Sequence, residues 1–481
     1  MKHLTLVSLA AALVLAGCTS MAPNYEQPAL PVAGDWPEGS AYAESDGAAA
    51  STLRVADIAW HEFILDENLR TIVSMALENN RDLRVAALNI DRARAQYRIQ
   101  RADSFPSIGI SGSGTSQRLP ADLNASGEAG ITRQYNAGIG VSAYELDLFG
   151  RVRSLNEDAL QRYLATEESR KTVQISLVAE VANAYLTLGS DQERLQLAER
   201  TLESQRNSYA LTRRSHELGV ASMLELRQAQ TLVESARVDV ARFTSQIAQD
   251  KNALVLLVGG PLSDALLPQS QKDDRVTLTQ LDAGVPSEVL LRRPDVVEAE
   301  RLLQAANANI GAARAAFFPR ISLTASAGTS SSALSGLFEG GSGTWSFMPQ
   351  LYLPIFEGGR NRANLEVSQV DRDIAQARYE KAIQSAFREV ADSLAQRGTL
   401  DEQLDAQNAL VEASADRQSL SDARYRQGVD SYLNVLDAER SLYAAQQDLI
   451  SLRLVKNSNQ VTLYKALGGG WNESSEPIAE R

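Results

Sequence analysis

After Gly219, apolar residues recur at steps of three and four: Leu226, Ala229, Val233, Ala236, Val240, Phe243, Ile247, Leu254 and Leu257, with Asp250 alone interrupting the series. Shifted by 209 positions, the same phase reads Val435, Ala438, Leu442, Ala445, Leu449, Leu452, Lys456, Asn459, Leu463 and Ala466. A period near 3.5 kept this long predicts helices packed as coiled coils. No Pro occurs between Pro120 and Pro261, or between Pro354 and Pro477. Arg151–Glu217 and Gly359–Gln427 are therefore predicted as unbroken helices of about 100 Å each. Shorter helices are predicted over Arg81–Ser104 and Ser222–Val258, and again over Asp295–Ala316 and Ser431–Leu467. Each short pair, set end to end, nearly matches one long helix.

Between the helices the period changes to two. Tyr135, Ala137, Ile139, Val141 and Ala143 alternate with Asn136, Gly138, Gly140 and Ser142. Ile321, Leu323, Ala325 and Ala327 alternate with Ser322, Thr324 and Ser326, and Trp345, Phe347, Leu351, Leu353 and Ile355 share one parity. Such segments of about 10 residues, apolar on one face and small or polar on the other, predict transmembrane β-strands. Tyr135, Tyr144, Phe149, Trp345 and Phe356 stand where interfacial aromatics would. Pro349 and Pro354 weaken the last strand. Gln117–Arg133 and Ser330–Gly343, rich in small and polar residues, are predicted as solvent-facing loops.

The plan of helix, two strands, long helix, turn and helix is written twice. Asp82–Ala86 aligns with Asp295–Ala299, Ser104–Ile110 with Phe317–Leu323, Leu146–Arg151 with Leu353–Gly358, and Gly219–Ser222 with Gly428–Ser431, at offsets of 207 to 213. Read as segments, the chain divides into 1–17 (leader), 18–65 (extended segment), 66–260 (first repeat), 261–287 (linker), 288–467 (second repeat) and 468–481 (tail). Four strands cannot close a membrane barrel, since the smallest use eight, and an open edge in lipid leaves backbone groups unpaired. The barrel must be shared between copies. Two copies supply eight strands and three supply twelve; twelve is preferred because the accompanying helices would enclose a channel.

Composition narrows the function. A net charge of −13 argues against nucleic-acid binding, which needs a basic stripe. One Cys and three His leave no disulfide framework and no residue cluster for a metal centre. The lone Cys explains itself by position. Met1-Lys2-His3 is a short basic start, Leu4–Ala16 an apolar signal-peptide core, and Leu15-Ala16-Gly17-Cys18 resembles a lipobox. Cys18 is thus expected to carry diacylglycerol and an N-acyl chain as its only prosthetic group, and Thr19 after it favours sorting to the outer membrane.

At this point the chain resembles the TolC-type outer-membrane factors, in their OprM-type lipoprotein branch. The resemblance is carried by Leu77–Leu83 (LENNRDL), Tyr144–Arg151 (YELDLFGR), Leu290–Val296 (LLRRPDV), Ala312–Pro319 (AARAAFFP) and Tyr464–Gly470 (YKALGGG). It implies an α+β membrane protein. Three protomers would form a 12-stranded transmembrane β-barrel continuous with a periplasmic α-helical barrel, with an equatorial domain built from about Pro261–Ser287 and the terminal segments. It further implies the exit duct of a tripartite efflux pump in a Gram-negative outer membrane, docked to a periplasmic adaptor (membrane fusion) protein and an RND-type inner-membrane transporter. The rival within the channel class is a type I protein secretion duct. No enzyme chemistry is implied. Gly219, Val220, Gly428 and Val429 mark the hairpin tips, where the adaptor would dock. Carried over by position, the periplasmic gate falls on Tyr425, Leu433, Asp437 and Arg440, with Glu225 on the first hairpin. Three copies of Leu433 would form an apolar constriction and three of Asp437 an acidic ring. Asp430 and Asn434 depart from the pattern of some family members.

Two decoys fall away. Gly138–Ala143 satisfies G-x-G-x-x-A, but it lies inside an alternating strand rather than between strand and helix, so it does not read as a dinucleotide fingerprint. His61 and His216 have no metal-ligand partners at suitable spacing and read as ordinary polar contacts.

Overall fold

A computed structural model describes residues 20–42, 55–124, 127–268 and 289–472. Leader 1–17, the acylation candidate Cys18, most of the linker (269–288) and tail residues 473–481 lie outside the described residues. The helices are α1 (Glu67–Asn79), α2 (Arg81–Ala102), α3 (Arg151–Glu217), α4 (Met223–Val258), α5 (Pro294–Ala315), α6 (Arg360–Arg426) and α7 (Tyr432–Ala466). The strands are β1 (Ile108–Leu119), β2 (Gly130–Leu146), β3 (Arg320–Ser331) and β4 (Gly343–Tyr352). Both long helices run 67 residues, as the Pro-free windows predict. No helix among the described residues is long and apolar enough to cross a membrane. The chain forms two compact units, residues 1–29, 89–167 and 298–379 in one and 30–88, 168–297 and 380–481 in the other. Each draws on both sequence repeats.

The first unit is built on an antiparallel sheet in the order β1-β2-β3-β4. Two strands are longer than their apolar alternation indicates. Gln117 pairs with Thr132 and Leu119 with Gly130, so the predicted loop Gln117–Arg133 shrinks to residues 120–129. β4 ends at Tyr352 rather than reaching Ile355, because Pro354 cannot extend the ladder. Pro349 is accommodated opposite Leu323 on an edge strand of the sheet. The alternation of β2 stops at Val141. The register then shifts between Val141 and Tyr144, and Ala143 adopts a φ of 51°. Its N–H donates to Thr324 Oγ1 at 3.2 Å. This bulge changes the parity of β2, so Tyr144 and Leu146 pair with Leu323 and Ile321 on the apolar face.

The turn from β2 into α3 is fastened by the YELDLFGR residues. Arg151 donates twice to Glu145, at 2.8 and 2.7 Å. Asp147 accepts the N–H groups of Val152 and Arg153 at 3.1 and 2.9 Å, satisfying orphan donors at the positive end of the helix.

In the second unit, Phe63, Ile64, Leu69, Ile72, Val73 and Ala76 are fully buried. Tyr464 of α7 stacks on Phe63 with centroids 4.0 Å apart and donates its hydroxyl to the Ile58 carbonyl at 2.7 Å. Arg293, whose side chain is 7% exposed, lies immediately before α5. It donates to Asp295 at 3.0 and 2.7 Å, to Glu389 of α6 at 2.8 Å and to the Ala466 carbonyl at the end of α7 at 2.7 Å. One guanidinium thereby ties three helix segments. Breaking a buried ion pair costs about 3–5 kcal/mol; here both carboxylates keep some water. Arg293→Ala is therefore expected to cost about 2–3 kcal/mol, read as a lower apparent melting temperature of the detergent-solubilised protein.

Candidate functional site

Two regions carry the chemistry that the sequence points to, one in each compact unit. In the sheet, the register keeps like with like across all four strands. Ile110 pairs with Ile139, Ile139 with Ala327, and Ala327 with Trp345; Ile108 pairs with Val141, Val141 with Ala325, and Ala325 with Phe347. The opposite face carries Ser111 against Gly138, Ser113 against Asn136, Asn136 against Ser330, and Ser326 against Ser346. Side chains of directly paired residues share a face. One face is thus apolar and the other a field of hydroxyls, amides and glycines. Ile108, Ile110, Trp345, Phe347 and Leu351 are exposed, Ile110 by 88%. Soluble monomers rarely leave such a face bare; a lipid phase removes its cost.

The second region is the pair of hairpin tips. Gly219 and Gly428 hold φ of 78° and 72°, the left-handed conformation that lets each long helix stop and turn. Ser222 and Glu225 form a reciprocal capping box at the start of α4: Ser222 N–H donates to Glu225 at 2.7 Å and Glu225 N–H to Ser222 Oγ at 3.2 Å. Glu225 is therefore held to its own helix terminus. Beneath the tips, Ala229, Tyr432, Val435 and Leu436 are buried together, with Tyr209, Leu232 and Tyr425 packed on them. Tyr425 and Tyr432 lie 5.1 Å apart. Burial, and then the charge of Glu225, push the Tyr425 phenol up. Burial is also the chief cause that raises Tyr432 to about 12.

Leu433, Asp437 and Arg440 are all exposed, while Tyr432 before them and Val435, Leu436 and Ala438 between them are buried. Asp437 is paired within the chain, by Arg417 of α6. Arg440 makes no ion pair among the described residues. Arg424 donates to Asp430, and that hydrogen bond holds the Asp430 carboxyl below its usual range. Sequence reading missed both arginines, although a signal was present. Residues 417 and 437, like 424 and 430, are equidistant from Gln427, so folding the hairpin about its turn brings each pair face to face. Around the tips, Leu218, Val220, Leu224, Val429 and Leu433 are exposed apolar residues.

A bare apolar sheet face, four strands and duplicated long hairpins have a counterpart among known proteins. The profile of the outer membrane efflux protein family matches residues 72–260 and 285–469. The chain belongs to that family. It is similar to the toluene efflux pump outer membrane protein TtgC of Pseudomonas putida, at 53% identity over 473 residues, 98% of this chain and 96% of the relative. The antibiotic efflux pump outer membrane protein ArpC of Pseudomonas putida is 53% identical over the same shares, 98% and 96%. Among solved structures, the open state of the Neisseria gonorrhoeae MtrE outer membrane channel superposes with a TM-score of 0.84 at 40% identity, covering 95% of this chain and 100% of that one. This outer-membrane efflux protein thus has the TolC-type channel fold, and its location is the outer membrane with extension into the periplasm.

In this efflux protein the interruption at Asp250 is part of the helical seam. Asp250 is 9% exposed, in line with buried Ala229, Val233, Ala236, Phe243, Leu254 and Val258 of α4. Gln246 of α4 donates to it at 3.0 Å. On α3, Asp191 is bound by Arg194 at 2.7 Å, and Arg194 reaches Ser451 of α7 at 2.8 Å. Burial first, and Asp191 after it, push the Asp250 carboxyl up. The folded protein then holds a proton that the unfolded chain releases near pH 4. Its contribution to stability is greatest at or below that pH and declines as pH rises toward the raised folded value. Asp250→Asn, with a carboxamide that does not ionise, is expected to flatten the fall of apparent melting temperature as pH rises above about 4.

Proposed function

We propose that three copies join their sheets, β4 of one against β1 of the next, into a 12-stranded barrel that forms the exit duct of a tripartite efflux pump. The observation that carries this is the two-faced sheet: its apolar face suits lipid, its polar face suits water, and its outer strands leave backbone groups for a neighbour to pair. A periplasmic adaptor protein docks on the exposed apolar residues of the tips, Val220 and Val429 among them, and an RND-type inner-membrane transporter feeds the duct. Cys18 carries the diacylglycerol and N-acyl anchor. The relatives are named for toluene and antibiotic efflux, which favours small toxic compounds over secreted proteins as cargo. Conduction is passive, and selection belongs to the transporter.

The gate lies at the tips. Asp437 sits beside exposed Leu433 and is tied to Arg417; three copies around an axis would set an acidic ring beside an apolar constriction. An exposed pair of this kind contributes at most about 1 kcal/mol to stability. Its removal therefore alters the closed state without unfolding the protein.

Purified protein is expected to run as a heat-resistant trimer, and its mature form to show an acylated Cys18 by intact mass. In planar bilayers, Asp437→Ala combined with Arg440→Ala is expected to raise the conductance of the closed state; unchanged conductance rules out this gate. A deletion strain is expected to become several-fold more sensitive to toluene and to antibiotics. Loss of a secreted protein with no change in sensitivity would favour the secretion duct instead.

A further inference from the structure

The first described residues are strapped along α5 by a regular set of hydrogen bonds. Tyr25 donates its hydroxyl to Glu300 at 3.0 Å, Asn307 donates to the Pro23 carbonyl at 2.8 Å, and Arg314 donates to the Met21 carbonyl at 3.1 Å. Glu300, Asn307 and Arg314 are seven residues apart, two helical turns each, so they share one face of α5. Residues 25, 23 and 21 alternate as in an extended chain. Ser20 closes the set, its hydroxyl 3.1 Å from that of Ser154. Gly311 makes the close approach possible: a Cβ there would stand 2.6 Å from the Ala22 nitrogen. The strap therefore runs antiparallel to α5, with its N-terminal end at the helix C-terminus.

At that end lies a cleft of about 510 Å³ lined by Ser20, Met21, Ala22, Arg314, Phe317 and Phe318. Phe317 and Phe318 are 41% and 40% exposed, and Phe318 is stacked on Phe149 at 4.9 Å, which fixes its ring. The cleft is shallow and open to the surface, so it suits a chain laid along it rather than a ligand enclosed by it. β3 begins at Arg320, and its apolar face opens with Ile321. Cys18 is two residues before Ser20, so covalent reach alone keeps it at most about 7 Å away.

We infer that this cleft seats an acyl chain carried on Cys18. The strap fixes Ser20 at the edge of the cleft, where apolar rings border the start of β3, and a chain on Cys18 has that cleft within reach. A tethered chain meets such a cleft at high effective concentration. The anchor is then a packed element of the fold as well as a tether. This inference rests on the proposed acylation of Cys18.

The test uses full-length protein made in cells fed a fatty acid bearing a terminal diazirine. Intact mass first establishes whether the purified protein is acylated; an unacylated protein overturns the anchor itself. Acylated protein is then irradiated, digested and mapped. Adducts concentrated on the peptides holding Met21, Arg314 and Phe317–Phe318 are expected. Adducts confined to the strand face around Ile110 and Phe347, to phospholipid or to a second copy of the chain overturn the seat while leaving the anchor standing. Phe317→Gln, which leaves Phe318 on Phe149, is expected to cut the adduct yield in the cleft several-fold without loss of the heat-resistant oligomer. Should that variant fail to assemble, the wild-type map decides.

Discussion

The hydrogen-bonding demand of the strand backbone governs this protein. Water would satisfy the free edges of a four-stranded sheet, but hydrocarbon offers no partner, and each unpaired group costs several kcal/mol. β1 and β4 therefore make the chain incomplete in the outer membrane. The bulge at Ala143 serves the same demand locally. It takes one residue out of the ladder, satisfies that N–H with Thr324, and returns Tyr144 and Leu146 to the apolar face. The two-faced character of the sheet depends on that single change of parity.

The family-like stretches turn out to be fastenings. YELDLFGR ends a strand and starts a 67-residue helix, with Asp147 meeting the free N–H groups and Glu145 holding Arg151. LLRRPDV places a buried guanidinium where α5, α6 and α7 converge. YKALGGG surrounds Tyr464 with glycines, one so near its ring that a Cβ would stand 2.2 Å from it. A duct asks its residues for shape and for a seal, so the recurring motifs lie where long elements begin, end and cross.

The helical hairpins divide their labour in a similar way. Burial of Tyr432, Val435 and Leu436 leaves Leu433, Asp437 and Arg440 on the open side of α7. Packing on one side of a helix thereby dictates which residues are left open on the other. The apolar cluster under the tips joins the two hairpins, and polar ties add to it: Gln205 with Glu439 at 2.9 Å and Tyr443 with Asp239 at 3.1 Å. Net contributions of such bonds are about 1 kcal/mol each.

Periodicity was sufficient for most of the elements, though α1 and β1 carried no such reading. The Pro-free windows permitted both long helices, whose predicted ends lie within one residue of the observed ones, and the doubled plan foretold four strands, because local propensity and burial period act over neighbouring residues. Register and pairing were a different matter. Nothing in β2 alone announces the shift after Val141, and β1 and β2 continue past their apolar alternation because their backbones go on pairing. The gate candidates were legible as positions on a helix face, but Arg417 and Arg424 became partners of Asp437 and Asp430 only when the hairpin closed about Gln427. The seam through Asp250 looked broken until Gln246 of its own helix and Asp191 of α3 met it. A sequence by itself determines where this chain is helical, where it is extended and which side of each element avoids water. Only the tertiary structure decides which charges meet and where a ladder slips, since those depend on distances between segments far apart in the chain.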